Sequence, residues 1–181
     1  MIQEIKIATN RVGVLIGKGG STKRELEAKT HTTITIDSKE GLVKVEGAEE
    51  HTLFILRAVE TINAINSGFS PERAFELLED EDLLLDIIDL SRTADNPHQL
   101  DRLKGRIIGK DGRAREQIEN MTDVDLSVLG HTVALIGYPE QMKTARAAID
   151  MLIEGIPHEN VFAFLDRKKK EAKQDMISYY Y

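Results

Sequence analysis

The chain has 181 residues, a formal net charge of −7 and no cysteine. Its length allows one substantial hydrophobic core or two small ones, and the lack of cysteine excludes disulfides, thiol nucleophiles and cysteine-ligated zinc. No segment approaches the roughly 18 consecutive apolar residues of a membrane helix, and no signal sequence follows Met1, so we expect a cytoplasmic protein.

The first half of the chain, residues 1–80, predicts a domain with the element order β-α-α-β-β-α. Its strands alternate polar and apolar side chains or are rich in β-branched residues, as half-buried strands are. Ser21 or Thr22 is the expected N-cap of the second helix. In chain order, the expected elements are a strand at 4–7, helices at 11–16 and 21–29, strands at 33–37 and 42–46, and a long helix at about 49–66.

The long helix is predicted from its apolar spacing and ends at Ser67 and Gly68, and a short helix is expected over 71–78. The apolar positions that suggest the long helix are Leu53, Leu56, Val59, Ile62 and Ala64 or Ile65.

The second half, residues 81–181, predicts the same order with a longer lead-in helix and a basic C-terminal helix and tail. Residues 83–90 are interpreted as its first strand, although their apolar run fits a buried helix segment equally well. Asn96 and Pro97 start a helix, because proline suits the first helical position. The remaining elements are strands at 125–129 and 132–136, a helix at 140–153 and a short helix at 158–169.

An internal duplication explains this repeated order. Leu-Ile-Gly-Lys-Gly-Gly at 15–20 matches Ile-Ile-Gly-Lys-Asp-Gly at 107–112, about 92 residues later. The likeness continues through Gly47 and Gly137 and reaches the short helix at the end of each copy. This spacing is too long for a solenoid repeat and indicates two duplicated domains of an α+β class.

The two glycine loops, residues 17–20 and 109–112, are suited to bind phosphate. Glycine permits left-handed backbone and close approach of a sugar-phosphate chain. The helix that follows each loop points unpaired N–H groups and its positive dipole end at the same place. Leu15, Ile16, Ile107 and Ile108, with Ile34, Ile36, Leu126 and Val128 on the strands, are expected to line a narrow groove for single-stranded bases.

Charge is unevenly distributed along the chain. Residues 11–24 carry four basic side chains and no acid, and residues 102–115 carry six against one acid, Asp111. We therefore expect the second loop to contribute more to binding than the first. The acidic segment, residues 76–89, has seven acidic side chains and no Lys or Arg, and is either a solvated face or a surface for a basic partner.

These motifs resemble the signature of the KH domain, which occurs twice in the fitting element order. The whole chain further resembles the archaeal members of a ribosome-assembly family of the partner-of-Nob-one type, in its tandem layout, its acidic strand at 82–89 and its segment 96–110. The resemblance implies two type I KH domains, each with an extra C-terminal helix. It also implies binding near the 3′ end of small-subunit rRNA, assistance to the nuclease that matures that end, and contact with a translation initiation factor.

The residues expected to contact RNA lie in and beside the two loops. In the first domain they are Ile16, Gly17, Lys18, Gly19, Gly20, Lys23 and Arg24, and in the second they are Arg106, Ile108, Gly109, Lys110, Asp111, Gly112, Arg113 and Arg115.

Two positions depart from the general KH pattern. Lys23 and Arg115 stand where most KH domains have an aliphatic residue, which predicts a more cationic groove. His31 and Asp123 replace a customary glycine, and both residue types tolerate the left-handed backbone that we expect there.

Other functions remain as alternatives. A protein-interaction adaptor would use the KH fold and the acidic segment, and an RNA-decay cofactor would use the same loops on other RNAs. A P-loop nucleotidase is disfavoured, because Gly13 to Lys18 has one residue too few and Gly19 stands where Ser or Thr is required. We expect no cofactor, no metal site and no catalytic activity.

Overall fold

Six strands form two separate three-stranded sheets in the computed structural model, which describes residues 1–181. The strands are β1 (Ile2–Lys6), β2 (Thr33–Asp37), β3 (Leu42–Glu46), β4 (Leu84–Asp89), β5 (Asp125–Leu129) and β6 (Thr132–Gly137). The sheet orders are β1-β3-β2 and β4-β6-β5, so the last strand of each copy is the central strand of its sheet. The chain divides into two compact units, Met1–Leu85 and Asp86–Tyr181. The predicted α+β class and duplicated β-α-α-β-β-α order are confirmed.

In the first unit, both outer strands pair antiparallel with β3, and Ile5 and Ile36 lie opposite the same residue, Val43. A 3-10 turn at Lys18–Gly20 separates α1 from α2, and another at Glu49–His51 precedes α3. The elements are β1 (Ile2–Lys6), α1 (Thr9–Ile16), α2 (Ser21–Thr30), β2 (Thr33–Asp37), β3 (Leu42–Glu46), α3 (Thr52–Asn66) and α4 (Pro71–Glu79).

In the second unit the ambiguous segment is a strand, as predicted, and Asn96 caps the next helix by accepting a hydrogen bond from the N–H of Gln99 at 2.9 Å. Pro97 is the first residue of that helix. The elements are β4 (Leu84–Asp89), α5 (Pro97–Ile108), α6 (Arg113–Thr122), β5 (Asp125–Leu129), β6 (Thr132–Gly137), α7 (Pro139–Glu154) and α8 (His158–Tyr180).

The core of each unit lies between its sheet and its helices. Branched side chains fill this layer, and burial of each one stabilises the fold by about 1.5–3 kcal/mol. In the first unit they include Leu15, Leu26, Ile34, Val43, Val45, Ile55, Ile62 and Ile65, and in the second Ile107, Ile118, Leu126, Val133, Leu135, Ile149, Leu152, Val161 and Leu165.

The buried face of α3 does not include all of the apolar positions from which the helix was predicted. Leu53 and Leu56 are 66% and 47% exposed. A spacing of three residues turns about 60° around a helix at each step, so a series that starts at Leu53 cannot stay on one face. The buried stripe instead alternates steps of three and four, through Ile55, Ala58, Ile62 and Ile65, with Thr61 beside it.

Two helix ends also differ from the prediction. Neither Ser21 nor Thr22 caps α2, because Gly20 is the N-cap and no side chain bonds there. Helix α8 continues eleven residues past the expected end at Lys169, to Tyr180. Ion pairs along its surface stabilise this extension, including Lys170 with Asp166 at 3.0 Å and Lys168 with Glu171 at 3.3 Å.

The turn between β5 and β6 is held by Asp89, whose Oδ1 accepts hydrogen bonds from the Ser91 hydroxyl and N–H and lies 2.8 Å from Nδ1 of His131. These bonds, foremost that of the Ser91 hydroxyl, lower the pKa of Asp89 to about 2. Because the folded value lies below the unfolded one, the charge of Asp89 stabilises the protein above about pH 4.

We expect that stabilisation to be lost as the pH falls from about 4 to about 2, through the pKa of Asp89. Asp89→Asn keeps an oxygen acceptor but removes the charge. At pH 7 the variant should therefore unfold at a lower urea concentration than the natural protein. Urea unfolding between pH 7 and pH 2 measures the difference in free energy of unfolding between the variant and the natural protein. This difference should shrink below pH 4. A difference that stays constant over this range would contradict the assignment.

Candidate nucleic-acid interface

The two glycine loops have one backbone conformation built twice. Gly17 and Gly109 have φ/ψ of 74°/175° and 76°/173°. The third positions, Gly19 and Asp111, have 60°/23° and 57°/26°, and the fourth, Gly20 and Gly112, have 77°/14° and 74°/13°. The positive φ values expected for these loops are therefore present in both.

The first glycine of each loop is also required by close packing. A Cβ at Gly17 would lie 2.8 Å from the backbone nitrogen of Thr22, and one at Gly109 would lie 2.7 Å from that of Ala114. Each loop therefore lies directly against the first turn of the helix that follows it.

The third position, by contrast, is open. A Cβ at Gly19 would meet no atom within 4 Å, which explains why Asp111 fits the matching place in the second loop. Aspartate tolerates the left-handed region better than most residues. The same tolerance holds at the ends of α2 and α6, where His31 and Asp123 have φ of 53° and 57°, as predicted.

The helices behind both loops begin without a side-chain cap, and only the N–H groups of Ser21 and Arg113 are bonded to the loops themselves, to the carbonyls of Lys18 and Lys110. Helices α2 and α6 each have ten residues, and the glycine N-caps Gly20 and Gly112 offer no side chain to their first N–H groups. Unpaired N–H groups and the helix dipole together attract an anion. Each loop therefore forms a site of the right chemistry for a phosphate.

Free cations are more numerous at the second loop. Lys18 is exposed at the first loop, but Arg24 donates to the carbonyl of Gly19 at 2.7 Å and so braces the loop itself. At the second loop Lys110 and Arg113 are both exposed, and neither forms an ion pair. The position that matches Arg24 is Glu116, which leaves the second loop without this brace.

The cationic residues three positions after each loop are paired with acids. Lys23 contacts Glu27 at 3.3 Å, and Arg115 contacts Glu119 at the same distance. Glu27 also accepts from the N–H of Ile34 on β2 at 2.9 Å, which fixes it beside the groove. The excess positive charge expected of Lys23 and Arg115 is therefore balanced within each unit.

Arg106 forms hydrogen bonds within the protein that its position in the sequence does not reveal. Its Nε donates to the carbonyl of Leu152 at 2.9 Å and its Nη2 to that of Ile156 at 2.6 Å. The carbonyl of Arg106 in turn accepts from Nε2 of His158 at 2.8 Å. Arg106 thus ties α5 to the end of α7 and the start of α8.

Arg11 makes the equivalent clamp in the first unit. Its Nε and Nη2 donate to the carbonyls of Ile65 and Phe69 at 2.9 and 3.0 Å, and burial lowers its pKa. Arg11 lies six residues before its loop and Arg106 only three, so the two clamps come from different turns of matching helices. The two arginines do not align in the internal duplication, so the sequence does not reveal them as a pair.

The apolar residues of the predicted groove divide into two groups. Leu15, Ile107, Ile34 and Leu126 are at most 2% exposed and belong to the core. Ile16 and Ile108 before the loops, and Ile36 and Val128 on the second strands, are only half-buried. These four have surface left for a base.

Several residues of the acidic segment are engaged by contacts within one unit or the other. Glu79 contacts Lys29 at 3.5 Å, Asp86 contacts Arg146 at 2.6 Å, and Asp89 holds the β5–β6 turn. The carbonyl of Leu83 accepts from Arg57 on α3 at 3.1 Å. These contacts reduce the free negative charge available to a basic partner.

No helix combines the length and apolar character needed to cross a membrane. The structure also has no group of three or more His, Asp or Glu side chains arranged to hold a metal ion.

Two β-α-α-β-β-α units, each with a glycine loop between its first two helices, define a tandem KH protein. Residues 2–64 match the model of the KH domain. Residues 84–170 match a model described as a eukaryotic-type KH domain of type I.

The chain is similar over most of its length to several known proteins. A KH domain-containing protein of Methanocaldococcus jannaschii is 38% identical over 96% of this chain and 76% of its own. The RNA-binding protein pno1 of Dictyostelium discoideum is 26% identical over 91% and 70%. In a crystal structure of an a/eIF2α–aDim2p–rRNA complex from Pyrococcus horikoshii, the matching chain is 44% identical with a TM-score of 0.88, over 94% of this chain and 95% of that one. The chain belongs to the tandem KH ribosome-assembly family of the partner-of-Nob-one type.

Proposed function

We propose that the chain binds single-stranded RNA and acts as an assembly factor of the small ribosomal subunit. It binds near the 3′ end of the small-subunit rRNA and assists the maturation of that end. The observation that carries this proposal is the duplicated loop, with glycine-capped helix starts and exposed Lys18 and Lys110.

The loops suit a single strand because they combine a phosphate site with a narrow apolar strip. A phosphate approaches the N–H groups at the start of α2 or α6. The bases then lie over the half-buried side chains of Ile16 and Ile36, or of Ile108 and Val128. We assign RNA contact to all of the loop residues and flanking residues predicted from the sequence, with three differences in role.

The first difference concerns Arg24, Lys23 and Arg115, which contact other groups of the protein as well as the expected RNA. Arg24 holds the first loop in shape, and the acid partners of Lys23 and Arg115 weaken their attraction for phosphate. Arg106 keeps one nitrogen, Nη1, beyond the two that clamp Leu152 and Ile156. We therefore assign the largest electrostatic share to Lys110 and Arg113.

The similar proteins support rRNA as the ligand and indicate two protein partners. The complex from Pyrococcus horikoshii contains rRNA and a/eIF2α together with aDim2p, which supports a translation initiation factor as a second partner. The resemblance to the partner-of-Nob-one type implies the rRNA-maturing nuclease as a third.

The protein contributes binding rather than catalysis in this proposal. The family consists of RNA-binding KH proteins. Besides aliphatic and basic side chains, the residues around the loops include Ser21, Thr22, Asp111 and Glu116, and the sequence supplies no nucleophile, base and orienting partner in a recognisable spacing.

Crosslinking of the protein to total cellular RNA tests the proposal. We expect the sequenced fragments to concentrate near the 3′ end of small-subunit rRNA. A variant with both Lys18→Asp and Lys110→Asp is the control, and it should lose this peak. Fragments spread over messenger RNA would contradict the assembly role and favour the RNA-decay alternative.

A further inference from the structure

A depression of about 450 Å³ lies beside the second loop, between α5, α6 and α8. Lys110, Arg113 and Gly109 line one side of it, Arg102 and Arg106 line another, and His158 and Phe162 of α8 close it. No residue of β5 lines this depression, which distinguishes it from the groove that includes Val128 of β5.

The depression has a strong excess of positive charge. Four cationic side chains line it and no acid does. Arg102, Lys110 and Arg113 form no ion pair, whereas several other basic residues of this unit, including Arg115, Arg146 and Lys170, contact carboxylates. Cations gathered without a counter-charge repel one another, and an anion bound among them removes that repulsion.

The wall of α8 supplies an aromatic surface. His158 and Phe162 lie one turn apart with ring centroids 6.0 Å from each other, and both are half-buried. The hydrogen bond from Nε2 of His158 to the carbonyl of Arg106 holds the imidazole in place. A fixed aromatic face beside free cations is the usual arrangement for stacking an unpaired base next to its phosphate.

The first unit provides an internal comparison. Its residue equivalent to Phe162 is Phe75, which is only 5% exposed and carries the Lys29 ammonium 5.3 Å from its ring centroid. The depression beside it is lined by Glu25, Glu72 and Glu79. The matching elements of the first unit therefore line their depression with carboxylates, and the ring of Phe75 is buried. The basic depression with an accessible aromatic ring is a property of the second unit.

We propose that this depression is a second nucleotide subsite, which binds the phosphate and stacked base of an RNA residue adjacent to the segment held in the groove. It rests on the proposed RNA-binding function. Gly109 and Lys110 belong to both the loop and the depression, and Arg113 follows the loop directly, so a strand that passes over the loop enters the depression within a nucleotide or two. The second unit then holds a longer segment than the roughly four nucleotides of an ordinary KH groove.

Two substitutions in the full chain test the subsite without touching the loop. Phe162→Leu removes the aromatic face but keeps an apolar side chain, and Arg102→Gln removes an exposed charge. Binding is measured by fluorescence anisotropy to an RNA of about ten nucleotides from the 3′ end of small-subunit rRNA, and by NMR titration to tetramers from the same segment. We expect each variant to lose at least about fivefold in affinity for the longer RNA and less than about twofold for the tetramers.

Matched controls separate this effect from general ones. Phe164→Leu changes another half-buried phenylalanine of α8, which lines a different concavity, and Arg92→Gln removes an exposed arginine elsewhere in the unit. Both should bind the longer RNA as the natural protein does. The subsite is refuted if Phe162→Leu and Arg102→Gln also bind it normally, or if the controls lose as much.

Lys110→Asp distinguishes failure of the subsite from failure of the proposed function. If this variant loses affinity for both RNA lengths while Phe162→Leu and Arg102→Gln lose none, the loop binds RNA and the subsite does not exist. If Lys110→Asp binds both lengths normally, the role of the loop itself is refuted, and the subsite with it.

Discussion

Lys110→Asp should lower the affinity of the protein for single-stranded rRNA by about tenfold or more at 0.1 M salt. Lys110 is exposed at the second loop, and the substitution would place two adjacent carboxylates, at 110 and 111, where a phosphate is expected. The variant should also lower the slope of log affinity against log salt by about one, because one phosphate contact is lost.

Two further variants serve as controls for this prediction. Lys18→Asp should cost less, because the first loop has fewer free cations around it. Lys169→Asp changes the same charge at an exposed position of α8 and should have little effect. Undiminished affinity of folded Lys110→Asp protein would refute the role of the second loop.

Gly109→Ala should destabilise the second unit by about 3 kcal/mol and abolish RNA binding by its loop. The backbone of Gly109, with φ 76° and ψ 173°, lies in a region that only glycine adopts readily. The new Cβ would also lie 2.6 Å from Cβ of Ala114 and 2.7 Å from its backbone nitrogen. The chain must shift there, which separates the loop from the start of α6.

Gly112→Ala is the matched control. Its φ of 74° and ψ of 13° are left-handed, but a Cβ there would meet no atom within 4 Å. We expect a cost of about 1–2 kcal/mol, from the backbone alone. Urea unfolding, with amide hydrogen exchange in α5 and α6 to report on this unit, measures both variants. Equal losses would contradict the packing argument at Gly109.

The unequal surroundings of the two loops explain why duplication need not mean equal function. Their backbones agree within a few degrees, so the phosphate geometry is shared. The side chains around the loops differ. Arg24 donates a hydrogen bond to the first loop, whereas Lys110 and Arg113 at the second loop form no ion pair. We therefore expect the second loop to be the stronger clamp and the first unit to remain available to a protein partner.

The sequence by itself determined the elements and the loops. Strands β2, β3 and β5 have the predicted bounds, because alternation with a period of two and glycine-containing turns are local signals. The left-handed positions at His31 and Asp123 were also predictable, since backbone preference depends on the residue and its place at a helix end.

Only the tertiary structure decided which charged groups are free. Arg106 was predicted to bind RNA, yet its guanidinium meets carbonyls 46 and 50 residues away. Lys23 and Arg115 were expected to make the groove cationic, yet each pairs with a glutamate. Leu53 and Leu56 contributed to the apolar spacing that predicted α3, yet they are exposed, because the packing of α3 buries another face. The glycine loops follow from local backbone chemistry, whereas the availability of each charge depends on partners that only the packing of distant helices brings into contact.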